Sequence, residues 1–192
     1  MMKEKVLKVL LEKARQEILK EFNPDSCIVS TAVCIDVLKH FGILAEPLPV
    51  RVMVFNKIAV DCINKWGMPV KDHTIYEWSR KYGAWSVGVG FSKRLDTGYV
   101  GHLVALVENT EILDISLDQA SRPQHKIVLS PLKFEISSDF MSGARMPFTS
   151  KRDGCIFCYE KITNYGYTQS PDWLKRSRRK HIVDKLIKII EG

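Results

Sequence analysis

Residues 101–117 decide the fold, and they read GHLVALVENTEILDISL. Two mainly apolar runs, 101–107 and 111–117, are separated by the polar residues Glu-Asn-Thr. Apolar runs of this length joined by a short polar turn are typical of an antiparallel β-hairpin. One titratable residue interrupts each run, His102 in the first and Asp114 in the second. The stretch therefore predicts neighbouring strands that carry a histidine and an aspartate.

The length of the turn determines whether the two side chains can meet. With a three-residue loop at 108–110, Val107 pairs with Glu111, and Asp114 becomes the diagonal neighbour of His102 on the same face. With a two- or four-residue loop the register shifts by one residue, and Asp114 turns to the opposite face. The histidine and the aspartate can act together only in the first register.

Two helices are predicted upstream of this hairpin. Residues 3–22 place apolar side chains at steps of three and four, which is the pattern of an amphipathic helix. The turn at 23–26 reads Asn-Pro-Asp-Ser and ends this helix, and its Asp or Ser can cap a second one. The second helix is apolar almost all round and ends at Gly42, so we expect it to be buried.

Several strands are predicted after the second helix. Residues 48–55 alternate with period two, and Pro49 favours an edge position or a strand start. A short helix is expected over residues 56–67. Three strand candidates then follow without a helix between them, at 85–91, 101–107 and 111–117. Consecutive strands of this kind indicate an antiparallel meander.

The C-terminal part of the chain shows weaker signals. Residues 122–154 contain many turn residues and predict loops with one or two edge strands. Ser-Pro-Asp at 170–172 starts an amphipathic helix that continues to the end. Together the elements predict one α+β domain over residues 1–192, with N-terminal helices packed on an antiparallel sheet and an amphipathic C-terminal helix.

The composition limits the class of protein. With 45% hydrophobic and 27% charged residues in 192, the chain is of the ordinary globular type, which excludes overall disorder. No run reaches the roughly 18 to 20 apolar residues of a membrane span. The apolar runs near the N-terminus are too short for a secretory signal, so we expect a cytoplasmic protein. Five cysteines in that compartment predict reduced thiols.

A cysteine stands where the second predicted helix begins. Cys27 directly follows Asn-Pro-Asp-Ser, and the unpaired N–H groups of a helix start favour a thiolate and can bind an oxyanion. Cys27 is therefore the candidate nucleophile. The alternative is a small buried hydrophobic residue, the usual role of a free cysteine. Cys34, two turns further along the same apolar helix, is predicted to lie in the core.

The hairpin supplies what a thiol nucleophile needs. Such a thiol requires a base, and the base requires an acceptor that fixes its tautomer. A histidine and an aspartate on neighbouring antiparallel strands have this geometry, so we predict a triad of Cys27, His102 and Asp114. The alternatives are a strand histidine bonded to the backbone and a salt-bridged aspartate. Asp118 is the closest rival for the role of Asp114.

The order of these residues resembles a known superfamily. The helix headed by Asp-Ser-Cys27 ends in LKHFGILAEP at 38–47, a valine-rich strand comes next, and the Gly-His102 and Leu-Asp114 strands follow. This arrangement is similar to the transglutaminase-like core, and its His and Asp strands also resemble those of arylamine N-acetyltransferases. The resemblance covers residues 20–120. It implies a papain-like fold and thioester chemistry, with Cys27 as nucleophile, His102 as general base and acid, and Asp114 as the orienting residue.

Three further residues are candidates for substrate binding. Trp85 opens the strand before that of His102, and Gln119 and Arg122 follow the Asp114 strand closely enough to line the same cleft. The alternative for the last two is an ordinary polar turn. The expected substrate is an amide, ester or thioester of a small molecule or peptide, whose acyl group passes to water or an amine. This chemistry requires neither a metal nor an organic cofactor.

A second hypothesis comes from the C-terminal residues 151–192, which carry ten Lys and Arg against five acids. The densest run contains Lys175, Arg176, Arg178, Arg179 and Lys180. Such a run can bind nucleic-acid phosphates, although a solvated helix face has the same composition. Cys155 and Cys158 have the spacing of half a zinc site, with simple packing of two thiols as the alternative. The rival to an enzyme is therefore a catalytically silent module that binds nucleic acid, with a metal on these cysteines as an option.

Overall fold

The computed structural model describes residues 2–67, 72–92, 98–142, 148–152 and 154–192. Its α-helices are α1 (Met2–Val9), α2 (Arg15–Ile18), α3 (Cys27–His40), α4 (Lys57–Trp66), α5 (Asp72–Tyr82), α6 (Ser138–Met141), α7 (Pro171–Leu174) and α8 (Lys180–Glu191). A π-helical turn, Leu10–Ala14, joins α1 to α2. The first predicted helix is therefore present, and α3 begins directly after Ser26, as the Asn-Pro-Asp-Ser turn indicates.

All strand pairs among these residues are antiparallel and belong to one curled, seven-stranded sheet. The strands are β1 (Ala45–Phe55), β2 (Ser86–Val89), β3 (His102–Val107), β4 (Glu111–Asp114), β5 (Leu132–Glu135), β6 (Phe148–Arg152) and β7 (Cys155–Lys161). Their order is β5-β4-β3-β1-β7-β6, and β2 also pairs with β1. The predicted α+β class with an antiparallel sheet is confirmed.

The β3–β4 hairpin has the register that brings its histidine and its aspartate to one face. Val107 lies opposite Glu111, so the loop between them has three residues. The first two loop residues, Glu108 and Asn109, have φ angles of 49° and 59°. This left-handed conformation closes a tight turn, and asparagine tolerates it better than most residues. Of the two registers that the sequence left open, the structure has the one with a three-residue loop.

β1 is the central strand of the sheet. Its first half pairs with β3, and β7 joins on the other side only from Val50 onward. Pro49 lies in that first half, where its missing N–H costs no hydrogen bond to a second partner. The edge position predicted from Pro49 is therefore correct for the first half of β1 and wrong for its second half. The predicted meander is also wrong at one point, because β2 pairs with β1 and not with β3.

The residues after the hairpin were predicted only in part. β5 and β6 are the two strands at the sheet edges, as expected between residues 122 and 154. α5 and β7 were not predicted, although β7 pairs with β1 over six residues. The last helix is broken at Lys175, whose φ of −90° and ψ of 82° lie outside the helical region. A 3₁₀ turn, Arg176–Arg178, separates α7 from α8.

Two apolar clusters hold the helices and the sheet together. On one face of β3 and β4, α1, α3 and α8 contribute buried side chains such as Val33 and Leu186. On the other face, the sheet packs side chains such as Val104 and Phe157. Burial of each such side chain contributes about 1.5–3 kcal/mol to folding. In the part of the chain that the structure describes, no helix is both long and apolar enough to cross a membrane.

Candidate active site

His102 and Asp114 form a direct pair at the start of β3 and the end of β4. Nε2 of His102 lies 2.8 Å from Oδ2 of Asp114. The two residues are 0% and 1% exposed. Asp118, the rival for this role, pairs with Arg15 instead. The predicted orienting residue is therefore the one that the structure places on the imidazole.

Asp114 accepts further hydrogen bonds inside the core. The hydroxyl of Tyr159 donates to Oδ2 at 3.0 Å, and the backbone N–H and the hydroxyl of Ser116 donate to Oδ1 at 3.1 and 3.4 Å. A buried charge without such partners would be strongly destabilising. Tyr159 lies on β7, which the sequence pattern did not predict, so no local signal identified it as part of the site.

Cys27 completes the cluster from the first position of α3. Its side chain is hydrogen-bonded to His102, and it is fully buried. Because Nε2 of the imidazole donates to Asp114, Nδ1 is the nitrogen that can exchange a proton with the thiol. The structure therefore brings the three residues of the predicted triad together.

The electrostatics of the cluster favour a charged imidazole. Burial is the largest single effect and lowers the pKa of His102, but the charge and hydrogen bond of Asp114, followed by the contact with Cys27, raise it to about 10 overall. The direction of this shift favours the imidazolium, in which each ring nitrogen carries a proton. A cation in contact with a thiol stabilises the thiolate, which is the nucleophilic form.

The surroundings of Cys27 are apolar on the side away from the imidazole. Ile28, Tyr99, Leu103 and Tyr167 are buried around it, and Trp173 packs against this cluster. The rings of Tyr167 and Trp173 meet edge to face at 4.9 Å. The thiol is thus accessible only after a neighbouring side chain moves, a property that the sequence does not show.

The three predicted substrate-binding residues have different positions. Nε2 of Gln119 lies 2.9 Å from Nδ1 of His102, so this side chain belongs to the site. The amide nitrogen donates to Nδ1 when the ring is neutral, and the amide must present its oxygen when Nδ1 is protonated. Arg122 is next to it in the turn and donates to the Gln119 carbonyl at 3.1 Å. Trp85 instead stacks on His125, with ring centroids 3.5 Å apart. Of these three residues, Gln119 is the one whose side chain contacts a member of the triad.

A glycine of the preceding strand region makes room for His102. Gly90 has a φ of 84°, and a Cβ at this position would lie 2.6 Å from the backbone nitrogen of His102. Larger residues are excluded both by this contact and by the backbone conformation. The glycine thus marks a close approach of two chain segments.

The geometry does not support a metal site on Cys155 and Cys158. The two thiols lie three residues apart on β7, and side chains at that separation point to opposite faces of a strand. Cys155 packs in the same cluster as Val104, whereas Cys158 packs against a cluster formed with α4. No group of three or more metal-binding side chains is present among the described residues.

The basic run near the C-terminus is largely engaged in ion pairs. Arg176 and Arg179 both pair with Asp36 on α3 at 2.9 Å, and Arg178 pairs with Asp172 at 2.6 Å. Arg179 is only 5% exposed. These contacts give three of the five cations a partner within the chain, although the side chains of Arg176 and Arg178 remain 69% and 49% exposed.

Comparisons of the chain with protein-family models, with curated proteins and with solved structures find no significant match. An activity for this chain therefore has to be inferred from the side chains of the site itself.

Proposed function

We propose that the chain is a cysteine-dependent hydrolase or acyltransferase that uses Cys27, His102 and Asp114 as a triad. The contact between Cys27 and His102 carries the proposal, because the same imidazole donates to a buried carboxylate. A helix-borne cysteine followed by strand-borne histidine and aspartate is the order of a papain-like, transglutaminase-like core. The proposal includes that fold.

In the first half of the reaction, the Cys27 thiolate attacks the carbonyl carbon of an amide, ester or thioester. A C–S bond forms and the carbonyl electron pair moves to oxygen, where the first N–H groups of α3 can bind it because they have no partner within the helix. The tetrahedral intermediate collapses, the bond to the leaving group breaks, and Nδ1 of His102 gives that group its proton. The acyl group is then held as a thioester on Cys27.

In the second half, water or an amine attacks the thioester. His102 is now neutral and takes a proton from the attacking group, while Asp114 keeps Nε2 protonated and the ring in place. The C–S bond breaks and the thiolate leaves, which restores the ion pair with the imidazolium. Gln119 lies beside Nδ1 and can donate to the substrate carbonyl from this position.

The pH dependence of Cys27 alkylation by iodoacetamide tests the proposal, because it separates thiolate content from access to the buried sulfur. A thiol of ordinary pKa, about 8.5, reacts about tenfold more slowly for each pH unit below that value, because the thiolate fraction falls by that factor. For Cys27 we expect a rate that is nearly constant from pH 5 to pH 8, measured by mass mapping of the labelled peptide. In His102→Ala the alkylation rate of Cys27 should rise about tenfold per pH unit, as for an ordinary thiol.

A second measurement tests the acyl step directly. Brief incubation with p-nitrophenyl acetate should add one acetyl group to Cys27, and hydroxylamine should remove it because the bond is a thioester. Adding a primary amine distinguishes hydrolysis from transfer through the product that is released. A Cys27 rate that rises tenfold per pH unit in the wild-type protein, together with no acetyl-enzyme, would refute the proposal.

A further inference from the structure

A buried arginine lies beneath the start of α3. Arg15, the first residue of α2, is 5% exposed. Its guanidinium donates from Nη2 to the Pro24 carbonyl at 2.6 Å and from Nη1 to the Ser26 hydroxyl at 2.9 Å and the Ser30 hydroxyl at 3.4 Å. These acceptors lie on both sides of Cys27 in the sequence. The guanidinium thus holds the turn and the first helical residues on which the thiol is mounted.

The same guanidinium reaches the other side of the site. Its Nε forms an ion pair with Oδ1 of Asp118 at 2.7 Å. Asp118 belongs to the 3₁₀ turn Leu117–Ala120 and immediately precedes Gln119, whose amide lies on Nδ1 of His102. One side chain therefore connects the segment that carries the nucleophile to the segment that contacts the base.

Stability alone gives little reason to bury this cation. Removing a guanidinium from water costs several kcal/mol, and the ion pair with one carboxylate often recovers no more than that cost. An apolar residue could fill the same space between α2 and α3 without it. An arginine is favoured where its planar fork must hold several acceptors in fixed directions, and here these acceptors flank the site.

We propose that Arg15 is a positioning residue that holds Cys27 against His102 by fixing the start of α3 relative to the Asp118–Gln119 turn. The proposal rests on the triad proposed above. Arg15 touches neither the thiol nor the imidazole, so it acts through the segments that carry them. A lysine at this position would keep the charge but could not bond the Pro24 carbonyl, the two hydroxyls and Asp118 together.

The test uses Arg15→Met, Arg15→Lys and Asp118→Asn in the full chain, with Lys133→Met and Glu111→Gln as matched controls from the ion pair between β4 and β5. The first readout is the pH dependence of Cys27 alkylation. We expect Arg15→Met and Asp118→Asn to slow the reaction at pH 6 by tenfold or more and to restore a slope with pH. Arg15→Lys should recover part of the rate, and the two controls should keep the wild-type profile.

The second readout is the titration of His102, followed by NMR of its ring protons. Loss of a nearby cation would by itself raise the pKa of an imidazole, whereas loss of contact with the thiolate lowers it. We expect Arg15→Met to lower the pKa of His102 toward the value in Cys27→Ala. The opposite signs separate a change of position from a simple change of charge.

The outcomes distinguish the two proposals. If Arg15→Met is folded and both its alkylation profile and its His102 titration match the wild type, the positioning role is wrong even though the triad stands. If wild-type Cys27 behaves as an ordinary thiol, the triad is wrong, and the positioning role, which rests on it, is wrong as well. Where Arg15→Met does not fold, Arg15→Lys and Asp118→Asn give the same decision.

Discussion

Two cysteines on one helix are equally buried but have different neighbours. Cys27 and Cys34 both lie on α3 and are both 0% exposed. Cys34 packs in the apolar cluster between α3 and the N-terminal helices. Burial, followed by the charge of Asp114, raises its pKa far above the ordinary range. Cys27 is equally buried but contacts the imidazole that pairs with the same carboxylate. In the triad proposed above, the imidazolium lies between this anion and the Cys27 thiol and opposes the effect of the anion on it.

The largest expected effect separates the two cysteines directly. At pH 6 a thiol of ordinary pKa is less than about 1% thiolate, so any fast reaction must come from a perturbed group. We expect Cys27→Ala to remove all fast iodoacetamide labelling at pH 6. Cys34→Ala should retain the fast phase while losing about 1 kcal/mol of unfolding free energy. Intact-protein mass spectrometry over time measures the labelling of both variants. Loss of the fast phase in Cys34→Ala would show that Cys34, and not Cys27, is the reactive thiol.

A second prediction removes the anion that both cysteines share. Asp114→Asn keeps the shape of the side chain but cannot hold the imidazolium, and its amide can donate to Nε2 and impose the wrong tautomer. We expect Cys27 alkylation at pH 6 to fall at least about tenfold, since each pKa unit changes the thiolate fraction by that factor. Glu111→Gln makes the same chemical change at the other end of β4. It should lower stability without altering the rate, and an equal loss of rate in the two variants would contradict the orienting role.

Much of the triad could be predicted because its members lie on regular elements. The apolar runs around His102 and Asp114 identified two strands, and the three polar residues between them allowed the register that the structure has. Cys27 was identifiable because Asn-Pro-Asp-Ser ends one helix and caps the next. In each case the signal is local, within about ten residues along the chain. Hydrophobic periodicity and turn chemistry act over such distances.

The rest of the site depends on contacts between distant segments. Tyr159 reaches Asp114 from β7, 45 residues away in the sequence, and a tyrosine in a strand has no feature that marks such a partner. Arg15 appears in the sequence as one cation on an amphipathic helix, although it is buried against residues 24–30 and Asp118. Trp85 was predicted to line the cleft, and this is wrong for the same reason. The strand that follows it, β2, pairs with β1, and the Trp85 ring stacks on His125, which lies in a later turn.

A third prediction uses the pH dependence of stability. The pKa of His102 is raised from 6.5 to about 10 in the folded protein. Its contribution to stability is therefore complete below pH 6.5 and is lost as the pH rises toward about 10. The proposed Cys27 thiolate has the opposite linkage below about pH 8.5 and would cancel this slope, so the test is made in proteins that lack the thiol. We expect the unfolding free energy, measured with urea, to decrease between pH 7 and pH 9.5 more steeply in Cys27→Ala than in the Cys27→Ala/His102→Gln double variant. Equal slopes in the two proteins would show that the imidazole is not charged at neutral pH.

The smallest expected effect concerns the hydroxyl that Tyr159 donates to Oδ2 of Asp114. Tyr159→Phe removes one of the hydrogen bonds to this carboxylate and leaves the ring packing intact. A bond to a charged acceptor contributes about 1.5–3 kcal/mol, so the unfolding free energy should fall by about that amount. Tyr165→Phe, at a residue that is 62% exposed, should leave it unchanged.

The rate of Cys27 alkylation distinguishes a Tyr159 hydroxyl that supports the triad from one that contributes only to folding. Without Tyr159, the Asp114 carboxylate is less stabilised and supports the imidazolium less well. Cys27 labelling at pH 6 should therefore slow by a few-fold, while the slow labelling of Cys34 stays the same. If stability falls and the Cys27 rate does not, the hydroxyl contributes to folding only. The difference between the two cysteines then depends on His102 and Asp114 without help from β7.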